Sequence, residues 1–337
     1  MLAGREKIRF AVVGCGHIGK RHATIIQKNE DCALVAIIDI KDRSVVGAEA
    51  FDVPFFHSLE DFFSSGLAAD VITIATPNGL HVAQGLACLK HGCHIVVEKP
   101  LALNKSEALQ LVNEAGRRGL HVFTVMQNRY SPPAQWLKNI VDQGVLGQLY
   151  MLQMNCFWNR DERYYEPGGW HGTKELDGGC LFTQFSHFID MMYWIYGDIE
   201  NIRSEFANFN HQRLTEFEDS GLVNFNFVNG GMGSICFSTS VWDRNMESSM
   251  TIIAEKGCVK IGGQYMDRVS YCHVRDYELP ALPPTNPGND YGTYRGSAQN
   301  HHFVIENVVE VLRGTGIKDD NCEAFKVVDI IERIYQS

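Results

Sequence analysis

The stretch Ile8–Asp39, IRFAVVGCGHIGKRHATIIQKNEDCALVAIID, decides how the chain folds. It opens on Ile8–Val13, a largely apolar run of strand length. Gly14-Cys15-Gly16-His17-Ile18-Gly19 follows at once, and helical spacing then runs through Ile25 and Ile26. A second apolar run, Leu34–Ile38, ends in Asp39, 20 residues beyond the last glycine. Each glycine has its own physical reason. Gly14 permits the tight turn, Gly16 lets the backbone approach a pyrophosphate, and Gly19 lets helix and strand pack closely. The first turn of a helix also offers unpaired N–H groups and a partial positive charge to phosphates. A glycine-rich turn alone is common. A strand before it, a helix after it and an acid at this distance make it a dinucleotide site. His17, Ile18 and Ile40, within and beside these motifs, join Gly14, Gly16, Gly19 and Asp39 as expected cofactor contacts.

Asp39 also bears on cofactor choice. A carboxylate here accepts ribose hydroxyls of NAD and repels the 2′-phosphate of NADP, so NAD is favoured. Lys41 and Arg43, close behind, are placed to blunt that repulsion.

Strand–helix alternation continues beyond this unit. Asp70–Ala75 reads as a strand broken by Thr76-Pro77-Asn78, and Leu80–Leu89 has helical spacing. His94–Val97 is a strand ending in Glu98-Lys99-Pro100, Ser106–Arg118 suits a helix, and Val122–Met126 is a strand running into Gln127-Asn128-Arg129. Repeated βα units predict a parallel, doubly wound Rossmann sheet over residues 1–128, with ligands beyond the carboxyl ends of its strands. Thr76, Pro77, Asn78, His81, Glu98, Lys99, Gln127 and Arg129 fall on or beside that edge. Loops that merely satisfy strand ends are the plain alternative for any one of them.

After Pro132-Pro133 the rhythm changes. A helix over Ala134–Val141 and a turn at Gly144–Gly147 lead into strand-like segments at Leu149–Trp158, Ser204–Phe209, Leu222–Phe227, Gly233–Ser240, Met250–Ala254 and Cys258–Ile261. Consecutive strands predict an α+β domain over 129–337, built on a large, mostly antiparallel open sheet. Leu279–Gly288 reads as an extended loop, and two helices, near Asn300–Leu312 and Asn321–Tyr335, close the chain. One apolar helix interrupts the strands after Asp177-Gly178-Gly179. On it Thr183, His187 and Asp190 share a face at 3.6 residues per turn. A lone histidine on an apolar helix is more often a hydrogen-bonded core residue than a catalyst.

The 337 residues are about twice a usual single domain, in keeping with two. Thirty basic residues against 40 acidic leave a formal charge of −10, which argues against nucleic-acid binding. No run approaches 18 apolar residues, and the first ten residues show no signal-peptide pattern, so neither a membrane span nor export is expected. Ten cysteines without a CxxC pair suggest neither a metal knuckle nor a disulfide framework, but free thiols in a reducing cytoplasm.

Taken together, GCGHIG, Asp39, ATPNGLH (75–81), EKP (98–100) and a glycine pair before the helix bearing His187 resemble the Gfo/Idh/MocA family of oxidoreductases. The resemblance spans nearly the whole chain. QNRYSPP (127–133), RYYEPGGWHGTKELDGG (163–179), TQFSH (183–187) and YRGSAQNH (294–301) resemble its WlbA-type branch, which oxidises the 3-hydroxyl of UDP-N-acetylglucosaminuronic acid. The resemblance implies oxidation of a secondary hydroxyl, the hydride passing to nicotinamide while a base takes the proton. Lys99 would contact the reacting hydroxyl and stabilise developing alkoxide. His187, whose ordinary pKa lies near neutrality, suits the base. Many family members have Asp four residues before this histidine, and the branch usually has Asn. Here Thr183 brings no charge, which leaves open whether Lys99 or His187 is the base.

Arg129, Trp170, Gln184, Tyr294 and Asn300 belong to the branch-like segments and are expected substrate contacts, with Lys99 and His187. Arg129 would suit a carboxylate or diphosphate. Trp170 and Tyr294 have a structural alternative as core aromatics, and Asn300 as a helix cap. A homodimer or homotetramer is implied as well, with the open sheet face as its surface. Three other readings compete: another sugar or polyol dehydrogenase such as one for inositol, an NAD-dependent glycoside hydrolase, and a non-catalytic dinucleotide sensor. A sensor has no need of Lys99 and His187 together.

Overall fold

In the computed structural model, which describes residues 6–315 and 321–337, the glycine-rich stretch forms a strand, turn and helix. Strand β1 (Ile8–Val13) enters helix α1 (His17–Lys28), and β2 (Cys32–Ile38) follows. Helix α1 buries Gly19, His22, Ala23 and Ile26, the spacing of one helical face, so its inner stripe is small enough to lie close on the sheet. Beyond β2 come β3 (Phe55–Phe56), α2 (Leu59–Ser64), β4 (Val71–Ile74), α3 (His81–Lys90), β5 (His94–Val97), α4 (Lys105–Arg118) and β6 (Val122–Thr124). All strand pairs are parallel, in the order β3-β2-β1-β4-β5-β6. The order reverses between β1 and β4, so their following loops, Gly14–Gly16 and Thr76–Asn78, leave the same edge at the switch point.

The second unit begins with α5 (Pro132–Asp142), whose prolines occupy its unpaired first turn. Strand β7 (Leu149–Phe157), α6 (Cys180–Thr183) and α7 (Ser186–Tyr196) follow. Then come β8 (Ile199–Ala207), β9 (Ser220–Phe227), β10 (Met232–Ser238), β11 (Glu247–Ala254), β12 (Gly257–Gly262) and β13 (Arg268–Val274). These seven form one sheet, β13-β12-β11-β7-β10-β9-β8, antiparallel except where β10 lies parallel to β7. Phe185, between α6 and α7, packs its ring on Trp158 and Phe237, and Phe188 packs on Trp158. Each fully buried phenylalanine contributes about 2–3 kcal/mol of transfer free energy, which holds the helices on that face. On the opposite face Met151, Leu222, Met232, Ile253 and Tyr271 are exposed. A short ribbon pairs β14 (Gly288–Asp290) with β15 (Arg295–Ala298).

The α/β first unit and the mostly antiparallel open sheet of the second match the expected fold class, but the division of the chain differs from a simple cut at 128. One compact unit comprises residues 1–125 with 301–328, and the other 126–300 with 329–337. The reason is helix α8 (His301–Leu312), which packs on α1 rather than beside the strands that precede it. Helix α9 (Asn321–Tyr335) then runs from residues of the first unit into residues of the second. Two further departures are local. The apolar helix around His187 is broken at Gln184–Phe185 into α6 and α7. Strand β3, two residues long, is too short for any periodicity to reveal.

Candidate active site

In the first unit the three glycines separate as their chemistry requires. A Cβ on Gly19 would lie 1.7 Å from the Gly14 carbonyl oxygen, and one on Gly14 would meet the Ala75 carbonyl oxygen at 2.6 Å. A Cβ on Gly16 would meet nothing within 4 Å. The turn is thus packed shut at Gly14 and Gly19 and open at Gly16. Gly16 also caps α1 without a side-chain bond, and no acid stands in the first turn to oppose an anion at the helix's positive dipole end. Gly16 and His17 are exposed and Ile18 half-buried. Asp39 accepts from the Cys15 backbone N–H at 2.6 Å and from that of Lys41 at 2.9 Å, which ties the acid to the glycine turn. Arg43, expected to blunt the repulsion, donates to the Phe51 carbonyl. Ile40 is 87% exposed. These features fit a dinucleotide.

The remaining first-unit residues divide. Thr76 donates to Gln84 at 2.6 Å, with Thr76 and Pro77 half-buried and Asn78 buried. His81 is enclosed, its ring nitrogens 2.8 Å from the Pro100 carbonyl and 2.9 Å from that of Thr76. It therefore ties the β4 and β5 loops together. Glu98 turns inward, its carboxylate 2.7 Å from His22 Nε2. Lys99, half-buried, follows it at the strand end. His81 and Glu98, both expected to touch cofactor, thus have protein partners of their own.

In the second unit Gln127, fully buried, places its amide nitrogen 3.2 Å from His187 Nε2. An amide nitrogen only donates, so this arrangement leaves Nε2 as the lone-pair nitrogen of the imidazole. Thr183 donates to the carboxylate and the backbone carbonyl of Asp177. Asp177 is buried and also accepts the Gly172 N–H at 2.7 Å. The charge absent at position 183 is therefore present one hydrogen bond away, on a residue the sequence reading had treated only as the start of a glycine turn.

Other expected substrate contacts meet protein partners. Arg129 forms a two-pronged pair with buried Asp190, at 2.9 and 2.5 Å. Gln184 accepts from Arg160 and donates to Tyr164, each at 2.8 Å. Asn300 donates to Ser131 at 3.1 Å and accepts from Asn286 at 2.8 Å, so its side chain is engaged away from the start of α8. Trp170 stacks on His171, and Tyr294 packs against Tyr164 and Tyr291. The residue at the centre of this network, Arg160, escaped the sequence reading. It is 2% exposed, hydrogen-bonded to Gln184, Asn245 and the carbonyls of Asn159 and Arg295, and ringed by Trp158, Tyr164 and Tyr294. The nearby pattern W-N-R-D-E-R-Y-Y carried the signal only as a density of aromatic and basic residues.

Nine cysteines, among the described side chains, are free. Cys322 lies outside them. No helix among the described residues is long and apolar enough to cross a membrane.

Comparison with known proteins agrees with this architecture. Residues 8–126 match the Gfo/Idh/MocA oxidoreductase family, NAD-binding Rossmann fold, and residues 134–260 match the C-terminal domain of the same family. The WlbA dehydrogenase of Bordetella pertussis, solved with NADH and UDP-GlcNAcA, is 32% identical, with a TM-score of 0.86 over 98% of this chain and 96% of that one. Its counterpart from Chromobacterium violaceum, solved with the same two molecules, is 30% identical, with a TM-score of 0.88 over 100% and 96%. Inositol 2-dehydrogenase of Rubrobacter xylanophilus is 26% identical over 77% of this chain and 73% of its own length. With a glycine turn open only at Gly16, an acid tied to that turn and both halves of the family's profile in order, the chain belongs to the Gfo/Idh/MocA family and is an NAD-dependent oxidoreductase.

Proposed function

We propose that the protein oxidises a secondary hydroxyl, at C3, of UDP-N-acetylglucosaminuronic acid. The observation that carries this reading is the likeness to two WlbA dehydrogenases at 30–32% identity over essentially the full chain. The segments that first suggested the branch supply the support around it: Gln127 against His187, Thr183 on Asp177, and the Arg160 network.

Bound NAD would accept the hydride from the carbinol carbon. The glycine turn and the first turn of α1 would hold its phosphates, with Asp39 to receive the ribose hydroxyls. Lys99 would contact the reacting hydroxyl and stabilise the developing alkoxide. His187 takes the hydroxyl proton on Nε2, with Gln127 releasing that nitrogen as substrate enters. Thr183 and Asp177 steady the helix break beside it. Trp170, Tyr294 and Arg129 remain candidates for the nucleotide-sugar, Arg129 through whatever donors Asp190 leaves. The free thiols suit a reducing cytoplasm, and the apolar open face of the sheet suits a homo-oligomer.

The test is NADH absorbance after mixing protein and NAD with the UDP-sugar acid, with plain hexoses and with inositol. A signal confined to the UDP-sugar acid, reduced ~10²–10⁴-fold in Lys99→Ala and in His187→Ala, is expected. A signal with inositol or a hexose instead discards the substrate and keeps the dehydrogenase. Release of an aglycone without net NADH would move the assignment to a hydrolase.

A further inference from the structure

Three buried side chains of the first unit have no part in the chemistry above. His22 lies on the inner face of α1, Glu98 closes β5, and His301 opens α8. All three are at most 8% exposed. His22 Nε2 is 2.7 Å from Glu98 Oε1, and His301 Nε2 is 3.8 Å from the same oxygen. The two imidazoles meet edge to face with centroids 5.5 Å apart. The other carboxylate oxygen accepts the Lys99 backbone N–H at 3.3 Å.

These donor atoms lie within 4.8 Å of one another, as metal ligands do. His22 and Glu98 nevertheless meet at direct hydrogen-bond distance, closer than two ligands sit around a tetrahedral ion with bonds of ~2.0–2.1 Å. The arrangement is a hydrogen-bonded carboxylate rather than a metal cage. Burial works to raise the Glu98 pKa, yet the hydrogen bond and charge of His22, with Lys99 adding, bring it down to about 2. Burial drives His301 down to about 3, so that ring is neutral. The groups facing the carboxylate are His22 from α1, with Arg21 beside it in the field of His301, His301 from α8, His81 from α3, and Lys99 on its own strand end. An anion fixed in this position steadies both the backbone and the charge of the neighbouring lysine.

We propose that Glu98, held by His22, is a positioning residue that keeps the Lys99 ammonium charged and in place. This rests on the reading of Lys99 as the group that meets the substrate hydroxyl, so the test reads Lys99 without turnover. Purified full-length protein is treated with a small amine-acylating reagent at mildly alkaline pH, and acylation of the Lys99 peptide is followed by mass spectrometry. Glu98→Gln is expected to acylate about tenfold faster at Lys99, because loss of the anion releases the reactive neutral amine. His22→Leu is expected to move the same way. His22→Gln, whose amide nitrogen reaches the position of Nε2, is expected to stay near wild type. A purely structural role would lower thermal stability in these variants and leave Lys99 acylation in the folded protein unchanged, and that result overturns the proposal. Should Glu98→Gln fail to fold, equal acylation in His22→Leu and His22→Gln overturns it by itself. Should the wild type prove inactive on every sugar, the acylation pattern still decides this inference while the substrate reading falls.

Discussion

Asp39 holds the Cys15 N–H of the glycine turn, and we propose that the same carboxylate receives a ribose hydroxyl of the cofactor. The two roles separate by substitution. Asp39→Asn keeps an acceptor for Cys15 and loses the charge, so the NADP-to-NAD ratio of kcat/KM is expected to rise about tenfold, or ~1.4 kcal/mol. Asp39→Ala loses the tether as well and is expected to weaken both cofactors. An unchanged ratio in Asp39→Asn would show that charge does not set the preference. Arg129 makes the opposite case. Its residue type and position beside an active-site edge suggested a substrate contact, but its partner Asp190 lies 61 residues away on α7. Removing one member of such a buried pair costs about 3–5 kcal/mol, because the other is left charged and dry. Arg129→Ala is therefore expected to unfold at markedly lower urea, and Arg129→Ala/Asp190→Asn to recover part of the loss. Full stability with lost sugar affinity would show that Arg129 serves the substrate instead. Residue type and loop position were legible from the chain, as the glycines, Asp39 and Lys99 show. A pairing made by tertiary packing was not, and the same holds for His22 with Glu98 and for Thr183 with Asp177.

Among the elements, the break between α6 and α7 is the least legible. CLFTQFSHFIDMMYWIY carries an unbroken apolar pattern, and nothing in its periodicity marks Gln184–Phe185. What fixes the start of α6 comes from the far end of the chain. The Tyr335 hydroxyl donates to Glu218 at 2.5 Å and accepts the Leu181 N–H at 3.0 Å, while Glu218 also accepts the Cys180 N–H at 3.2 Å. Gly179 sits at φ +128°, where a Cβ would meet the Tyr335 hydroxyl at 2.5 Å. Burial pushes Glu218 up to about 7, against the pull of the Tyr335 bond. An acid whose pKa is raised on folding binds its proton more tightly in the native state. Its contribution to stability is full below its ordinary carboxylate range and is lost as pH rises to about 7. Melting temperature is expected to decline over that window in wild type and to decline less in Glu218→Gln. Glu98 has the opposite sign: its contribution is present above the ordinary carboxylate range and is lost only as pH falls towards about 2. A wild-type melting curve with no slope between these limits would count against both.

At the scale of the molecule the open sheet face is the feature with consequences for assembly. Ile253, Met151 and Met232 lie side by side across β11, β7 and β10, all more than 40% exposed. If copies associate here, Met151→Glu is expected to shift light-scattering mass towards the monomer without lowering the melting temperature of the isolated chain. An unchanged mass would place the contact elsewhere. The order of units was less legible than their folds. A linear boundary at 128 follows from where the βα rhythm stops, but rhythm says nothing of a helix that returns, and α8 does return. That return has a consequence in time. On a ribosome the first 125 residues emerge well before His301, with about 175 residues between them. At ~5–20 residues per second this is a wait of roughly 10–35 s. Throughout it Glu98 has His22 but not His301, and the face of α1 destined for α8 is uncovered. The nucleotide-binding half begins first and is completed almost last, so a nascent chain stalled inside the second sheet should offer chaperones that bare helix face until translation resumes.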